Sequence, residues 1–140
     1  MSRGPNETIL VVSHLDAERD RYAGMLTKSG HRAVAVADVA EAVSAYEREH
    51  TDVALVDSDV SAEELTRRLK EFDSDAVVVV VCGSTAVEDA VALMKAGAFH
   101  VLGKPANAEQ LGVVVSKALE HRRLSRGNAD LKNQLDISEK

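Results

Sequence analysis

"VVVVVC", residues 77–82, is the stretch on which the fold turns. Five consecutive valines favour an extended backbone, because β-branched side chains fit a pleated strand and crowd a helix. The run shows no alternation of apolar and polar residues. A strand with one solvated face alternates, whereas a strand buried on both faces does not, and such strands lie centrally in parallel sheets. Working outward, Ile9–Val12, Ala33–Ala37, Val53–Val56 and Phe99–Leu102 are further short apolar runs that read as strands beside Val77–Val81.

Helix-period segments separate these runs. Leu15, Tyr22 and Leu26 share one face before Gly30, a residue suited to ending a helix. Val39, Ala42, Val43 and Tyr46 form the next stripe, with Asp38 as N-cap. Ser61-x-x-Glu64 has the form of a capping box ahead of Leu65, Leu69 and Phe72. Thr85-x-x-Glu88 introduces Val87, Ala90, Val91 and Met94, ended by Gly97. Asn107-x-x-Gln110 opens the last helix, with Leu111, Val114, Val115 and Ala118 inward. Five strand–helix units predict a parallel sheet with helices on both faces. Sites in such sheets gather at the carboxyl ends of the strands. Those ends carry Ser13-His14, Asp57-Ser58-Asp59, Cys82-Gly83-Ser84 and Lys104-Pro105.

Composition narrows the classes. A chain of 140 residues fits one domain with a proper core. A formal net charge of −6 argues against a nucleic-acid footprint over the domain. The basic cluster His121-Arg122-Arg123 with Arg126 reads as a solvated helix face. One cysteine, Cys82, excludes an internal disulfide and a multi-cysteine zinc site. No apolar stretch approaches membrane-spanning length, and the expected location is the cytoplasm.

Several chemistries compete at the strand ends. Asp57 and Lys104 form either a structural ion pair or an acyl-phosphate site, with the carboxylate as nucleophile and the ammonium gripping a phosphoryl oxygen. A Ser13–His14–Asp57 triad is disfavoured, because neighbours at a strand end point different ways. A metal held by His14, Asp57 and Asp59 is a further reading, but His31, His50, His100 and His121 offer no ligand spacing. Cys82 reads as a small buried apolar residue. No phosphate-binding glycine loop follows any strand.

At this point residues 8–122 resemble the receiver domain of two-component response regulators. The resemblance rests on "AVEDAVALMKAGAFHVLGKP" (residues 86–105), on "DVALVD" ending at Asp57, and on "ALEHRRLSRGNADLKNQL", which is similar to the linker after receivers of the NtrC-like, sigma-54 activator kind. It implies a flavodoxin/CheY-like α/β fold with a five-stranded, doubly wound parallel sheet in order 2-1-3-4-5. It also implies a tail over 1–7 and an extended C-terminal helix over 123–140. There the pattern itself shows a sparse stripe, Leu124, Leu131 and Leu135, weakened by Gly127-Asn128, which reads either as a fraying tail or as a short coiled-coil linker that pairs two chains.

Carried over residue by residue, the resemblance makes Asp57 the phospho-acceptor position. Cys82 and Lys104 become the phosphoryl-contact positions, and Lys104-Pro105 the family's Lys-Pro, usually cis. Ser13 and His14 stand where an acidic pair binds Mg²⁺, and Val101 stands where an aromatic residue switches rotamer. Mg²⁺ wants oxygen ligands and negative charge, so a hydroxyl and an imidazole are poor substitutes. Asp16 and Asp59 are candidate compensating acids. The expectation is therefore a pseudo-receiver: a non-enzymatic interaction module with impaired Asp phosphorylation, no cofactor, and Mg²⁺ bound weakly if at all. Its expected partners are a second copy of the chain and a histidine kinase or effector domain, with no nucleic acid or membrane. The alternatives are a working phospho-receiver with a divergent metal site, and a flavodoxin-like enzyme with Asp57 as nucleophile.

Overall fold

The computed structural model describes residues 7–49, 51–84 and 86–139, with side chains as far as residue 125. Its elements run β1 (Thr8–Val12), α1 (Asp16–Lys28), β2 (Arg32–Val36), α2 (Val39–Glu49), β3 (Val53–Asp57), a 3-10 turn (Ser58–Val60), α3 (Ala62–Phe72), β4 (Val78–Cys82), α4 (Val87–Ala96), β5 (His100–Gly103) and α5 (Ala108–Glu139). The five strands are all parallel, in the order β2-β1-β3-β4-β5.

The period of two along each strand divides the interior into two cores. Leu10, Val12, Ala54, Val56, Val78 and Val80 face α2, α3 and α4, whose Tyr46, Leu65, Leu69 and Leu93 fill that layer. Ile9, Val11, Val53, Leu55, Val79 and Val81 face α1 and α5, meeting Tyr22, Leu26, Leu111 and Val115. The β1, β3 and β4 strands are buried at every position, which explains the unbroken valines.

Local signals succeed where a side chain is free to reach its amide. Asp38 Oδ1 accepts from the Glu41 amide (2.9 Å). Asn107 and Gln110 cap each other reciprocally, at 2.8 and 3.1 Å. Gly30 (φ 93°) and Gly97 (φ 116°) take left-handed turns that a Cβ disfavours.

Other local readings are corrected. Leu15 precedes α1 as its N-cap and is 49% exposed, so it leaves the inward stripe. Ser61 is the N-cap of α3 but makes no side-chain capping bond: it follows the 3-10 turn in the left-handed region (φ 56°). Phe72 is exposed and lies edge-on against Tyr46. In α4 the residue turned inward is Leu93, while Val87, Val91 and Met94 are exposed, because the helix packs against α3 and β5 through one narrow side. The N-cap of α4 is Ala86, and Thr85 lies outside the described residues.

Of the basic cluster, His121 and Arg123 are exposed as a solvated face requires, but Arg122 is not. Arg122 is buried, with Nη2 2.9 Å from Asp73 Oδ2 and Nη1 donating to the Asp75 carbonyl (2.6 Å). Tyr46 donates to the same carboxylate (2.8 Å). His121 lies against the Phe99 ring and Arg123 pairs with Glu7. These contacts tie α5 to the amino-terminal edge of the sheet. The helix continues through Gly127-Asn128 to Glu139. The side chains of Arg126, Leu131 and Leu135 lie outside the described residues, as does most of the 1–7 tail. Among the described residues, no helix is long and apolar enough to cross a membrane.

Candidate functional site

The strand order reverses between β1 and β3, and this switch point brings Ser13 beside Asp57. Val12 is in register with Val56, so the next residues of both strands, Ser13 and Asp57, emerge side by side at the carboxyl edge. Both are buried. The Ser13 hydroxyl donates to Asp57 Oδ2 (3.1 Å). Its oxygen also accepts from the Leu15 amide (3.2 Å), where the chain turns into α1.

The other Asp57 oxygen is equally engaged. Lys104 Nζ stands 2.7 Å from Oδ1, and the Asp59 amide donates to the same atom at 3.4 Å. Lys104 arrives from the end of β5, where Gly103 is in register with Cys82. The Lys104–Pro105 peptide is cis. Partial burial pushes the Lys104 ammonium down, but the hydrogen bond and charge of Asp57 outweigh it, and the net shift is upward. The Asp59 carboxyl is pushed up, first by burial and then by the neighbouring Asp57 charge.

The remaining candidates are placed as follows. His14 is exposed. Asp16 is exposed and paired with Arg19, whose Nη1 also donates to the Ser13 carbonyl (2.9 Å). Val101 is half-buried and packs into the α2–α3–α4 core. Cys82 is a buried free thiol. It lines a cavity of about 290 Å³ with Ser58, Ser61, Ser84 and Asp89.

One residue that sequence reasoning passed over completes the site. Glu18, in the first turn of α1, has Oε2 3.6 Å from Lys104 Nζ. Tyr22 donates to the same oxygen (3.3 Å). Burial, then the charges of Glu18 and Asp57, push the Tyr22 hydroxyl up to about 12, so it remains a donor. A polar residue on the otherwise inward face of α1, one turn before Tyr22, was the available signal.

The groups around Asp57 already have partners. The Ser13 proton is directed at Asp57, Asp16 is committed to Arg19, and the ammonium of Lys104 already contacts the carboxylate. Among the described residues, no three His, Cys, Asp or Glu side chains are grouped to hold a metal ion.

Residues 9–116 match the family model of the response regulator receiver domain. Over 129 residues the chain is 36% identical to the nitrogen assimilation regulatory protein NtrX of Azorhizobium caulinodans, covering 89% of this chain and 28% of that protein. Its fold matches NtrX of Brucella abortus, crystallised in complex with ADP, with a TM-score of 0.85 and 29% identity, over 91% of this chain and 29% of that one. The receiver domain of B. abortus NtrX matches with a TM-score of 0.75 and 28% identity, over 80% of this chain and 98% of that one. The chain thus spans less than a third of the length of its longer relatives. Five parallel strands in this order, with an aspartate and a lysine paired at their carboxyl ends, agree with the family match, and the chain belongs to the response regulator receiver domain family, with NtrX-like homologues.

Proposed function

We infer that this receiver is a regulatory protein-interaction module whose Mg²⁺-dependent phosphorylation at Asp57 is impaired. Receiver domains are signalling modules rather than enzymes, so the question is how the signal enters. The observation that carries the reading is the Ser13 hydroxyl on Asp57 Oδ2, with Lys104 on Oδ1. Phosphoryl transfer to a carboxylate gains from a cation that neutralises the phosphoryl oxygens. Here a hydroxyl and an ammonium already engage both oxygens of the nucleophile, and a serine and a histidine, not acids, follow β1. Cys82 adds only a weak S–H donor where a hydroxyl would serve better, and Val101 has no ring to turn.

The α5 extension is read as a linker that pairs two copies of the chain and leads to an effector of the sigma-54 activator kind. NtrX-like relatives of greater length support this reading. The test is a titration with Mg²⁺ and beryllofluoride, followed by NMR, with sedimentation of the same sample. The expected result is no stoichiometric change at Asp57. Stoichiometric, Asp57-dependent modification overturns the reading.

Asp59 favours a second reading, a working receiver with a divergent metal site, because its carboxyl interacts with Asp57. That reading requires Mg²⁺ or Mn²⁺ binding that disappears in both Asp57→Asn and Asp59→Asn.

A further inference from the structure

We propose that Glu18 is a positioning residue that clamps the Lys104 ammonium against Asp57, making Lys104 the resident cation of this site. The inference rests on the impaired-receiver reading and adds what neutralises the carboxylates there. Lys104 Nζ lies between two of them, 2.7 Å from Asp57 Oδ1 and 3.6 Å from Glu18 Oε2.

Glu18 is itself held by two neighbours on α1. Tyr22, which is buried, donates to Oε2. Arg21 donates to Oε1 through Nη2 (3.1 Å) and Nε (3.3 Å). The same guanidinium donates through Nη1 to the carbonyl of Ala106 (3.0 Å), two residues beyond Lys104. Arg21 thus fixes the glutamate relative to the loop that carries the lysine. An ordinary surface pair between Glu18 and Arg21 would need neither the buried tyrosine nor the bond to that loop. Asp57, Asp59 and Glu18 bring three negative charges to this edge, which Lys104 and Arg21 oppose with two positive ones. A compact ammonium is a point charge with several donors, and this one is fixed where a mobile ion would have to be recruited.

Removing the ammonium should leave carboxylates in want of a cation. The probe is Mn²⁺, followed by electron paramagnetic resonance on the whole chain. Lys104→Met is expected to bind Mn²⁺ at least about tenfold more tightly than the native protein. Lys104→Met combined with Glu18→Gln is expected to lose that gain. A folded Lys104→Met with native Mn²⁺ affinity overturns the proposal, and so does a gain that survives Glu18→Gln.

If Lys104→Met does not fold, the acylation rate of Lys104 by an N-hydroxysuccinimide ester decides. A severalfold rise in Glu18→Gln supports the clamp, and an unchanged rate overturns it. Stoichiometric binding of Mg²⁺ and beryllofluoride by the native chain would instead defeat the impaired-receiver reading, whichever way these variants behave.

Discussion

Replacing Ser13 and His14 together by aspartate is expected to give the domain a dependence on divalent cations. Ser13 is fully buried, with its hydroxyl 3.1 Å from Asp57 Oδ2. A carboxylate there sets two negative charges about 4 Å apart, a gross repulsion of roughly 4 kcal/mol at an effective dielectric near 20. It also removes the donor to Asp57. The ammonium of Lys104, 2.7 Å from the other oxygen, offsets part of the repulsion. The expected net destabilisation in chelator is about 2–3 kcal/mol. Position 14 is exposed, so its carboxylate adds charge with little desolvation. Magnesium then acts in the opposite direction. At about ten times its dissociation constant it returns about 1.4 kcal/mol, which is about 5 °C in Tm for a domain of this size. Thermal denaturation by circular dichroism, with EDTA and with MgCl₂, reads both effects. A double variant indifferent to Mg²⁺, or a native chain that gains as much as the variant, would refute the reasoning.

Two further predictions concern the scaffold. Arg122→Met keeps the apolar stem but strands Asp73, whose side chain is 23% exposed, and should cost about 2 kcal/mol, below the 3–5 of a fully buried pair. Burial pushes the Asp73 carboxyl up, but hydrogen bonds from Tyr46 and Arg122 outweigh it and hold it below the usual range. A lowered folded value means the stabilisation is complete above pH ~4 and is lost as pH falls through that folded value. Urea denaturation of the two proteins should therefore converge at low pH, and a gap that persists there would assign the loss to packing. In α4, Leu93→Ala should cost about 2–4 kcal/mol, whereas Val91→Ser and Met94→Ser should each stay within about 0.5 kcal/mol. Equal losses at all three positions would contradict the observed facing of the helix.

The architecture was legible because its causes are local. The valine run, the short apolar strands and the spacing of helix stripes gave the parallel sheet. Asp38 and the Asn107/Gln110 pair announced their helix starts, since a capping side chain acts within three residues. Ser61 has the same signature and fails, because the backbone of the preceding turn, which no pattern encodes, decides its conformation. The α4 stripe misled for a related reason. Val87, Val91 and Met94 are as apolar as Leu93, and only the packing against α3 and β5 says which of them is covered.

For the site, the sequence determined which side chains stand at the strand ends: Asp57, Lys104 and Ser13-His14. It could not determine how these groups are used. The Ser13 bond to Asp57 spans 44 positions of sequence, and the Arg122 bond to Asp75 spans 47. Contacts of that kind depend on strand register and on the facing of whole helices. Periodicity reports which face of an element is apolar, and it is silent on which polar side chain meets which. The tertiary structure therefore decided that Ser13 bonds to Asp57, that Glu18 reaches Lys104, and that Arg122 within the basic end of α5 is buried against Asp73 and Asp75 while His121 and Arg123 stay exposed.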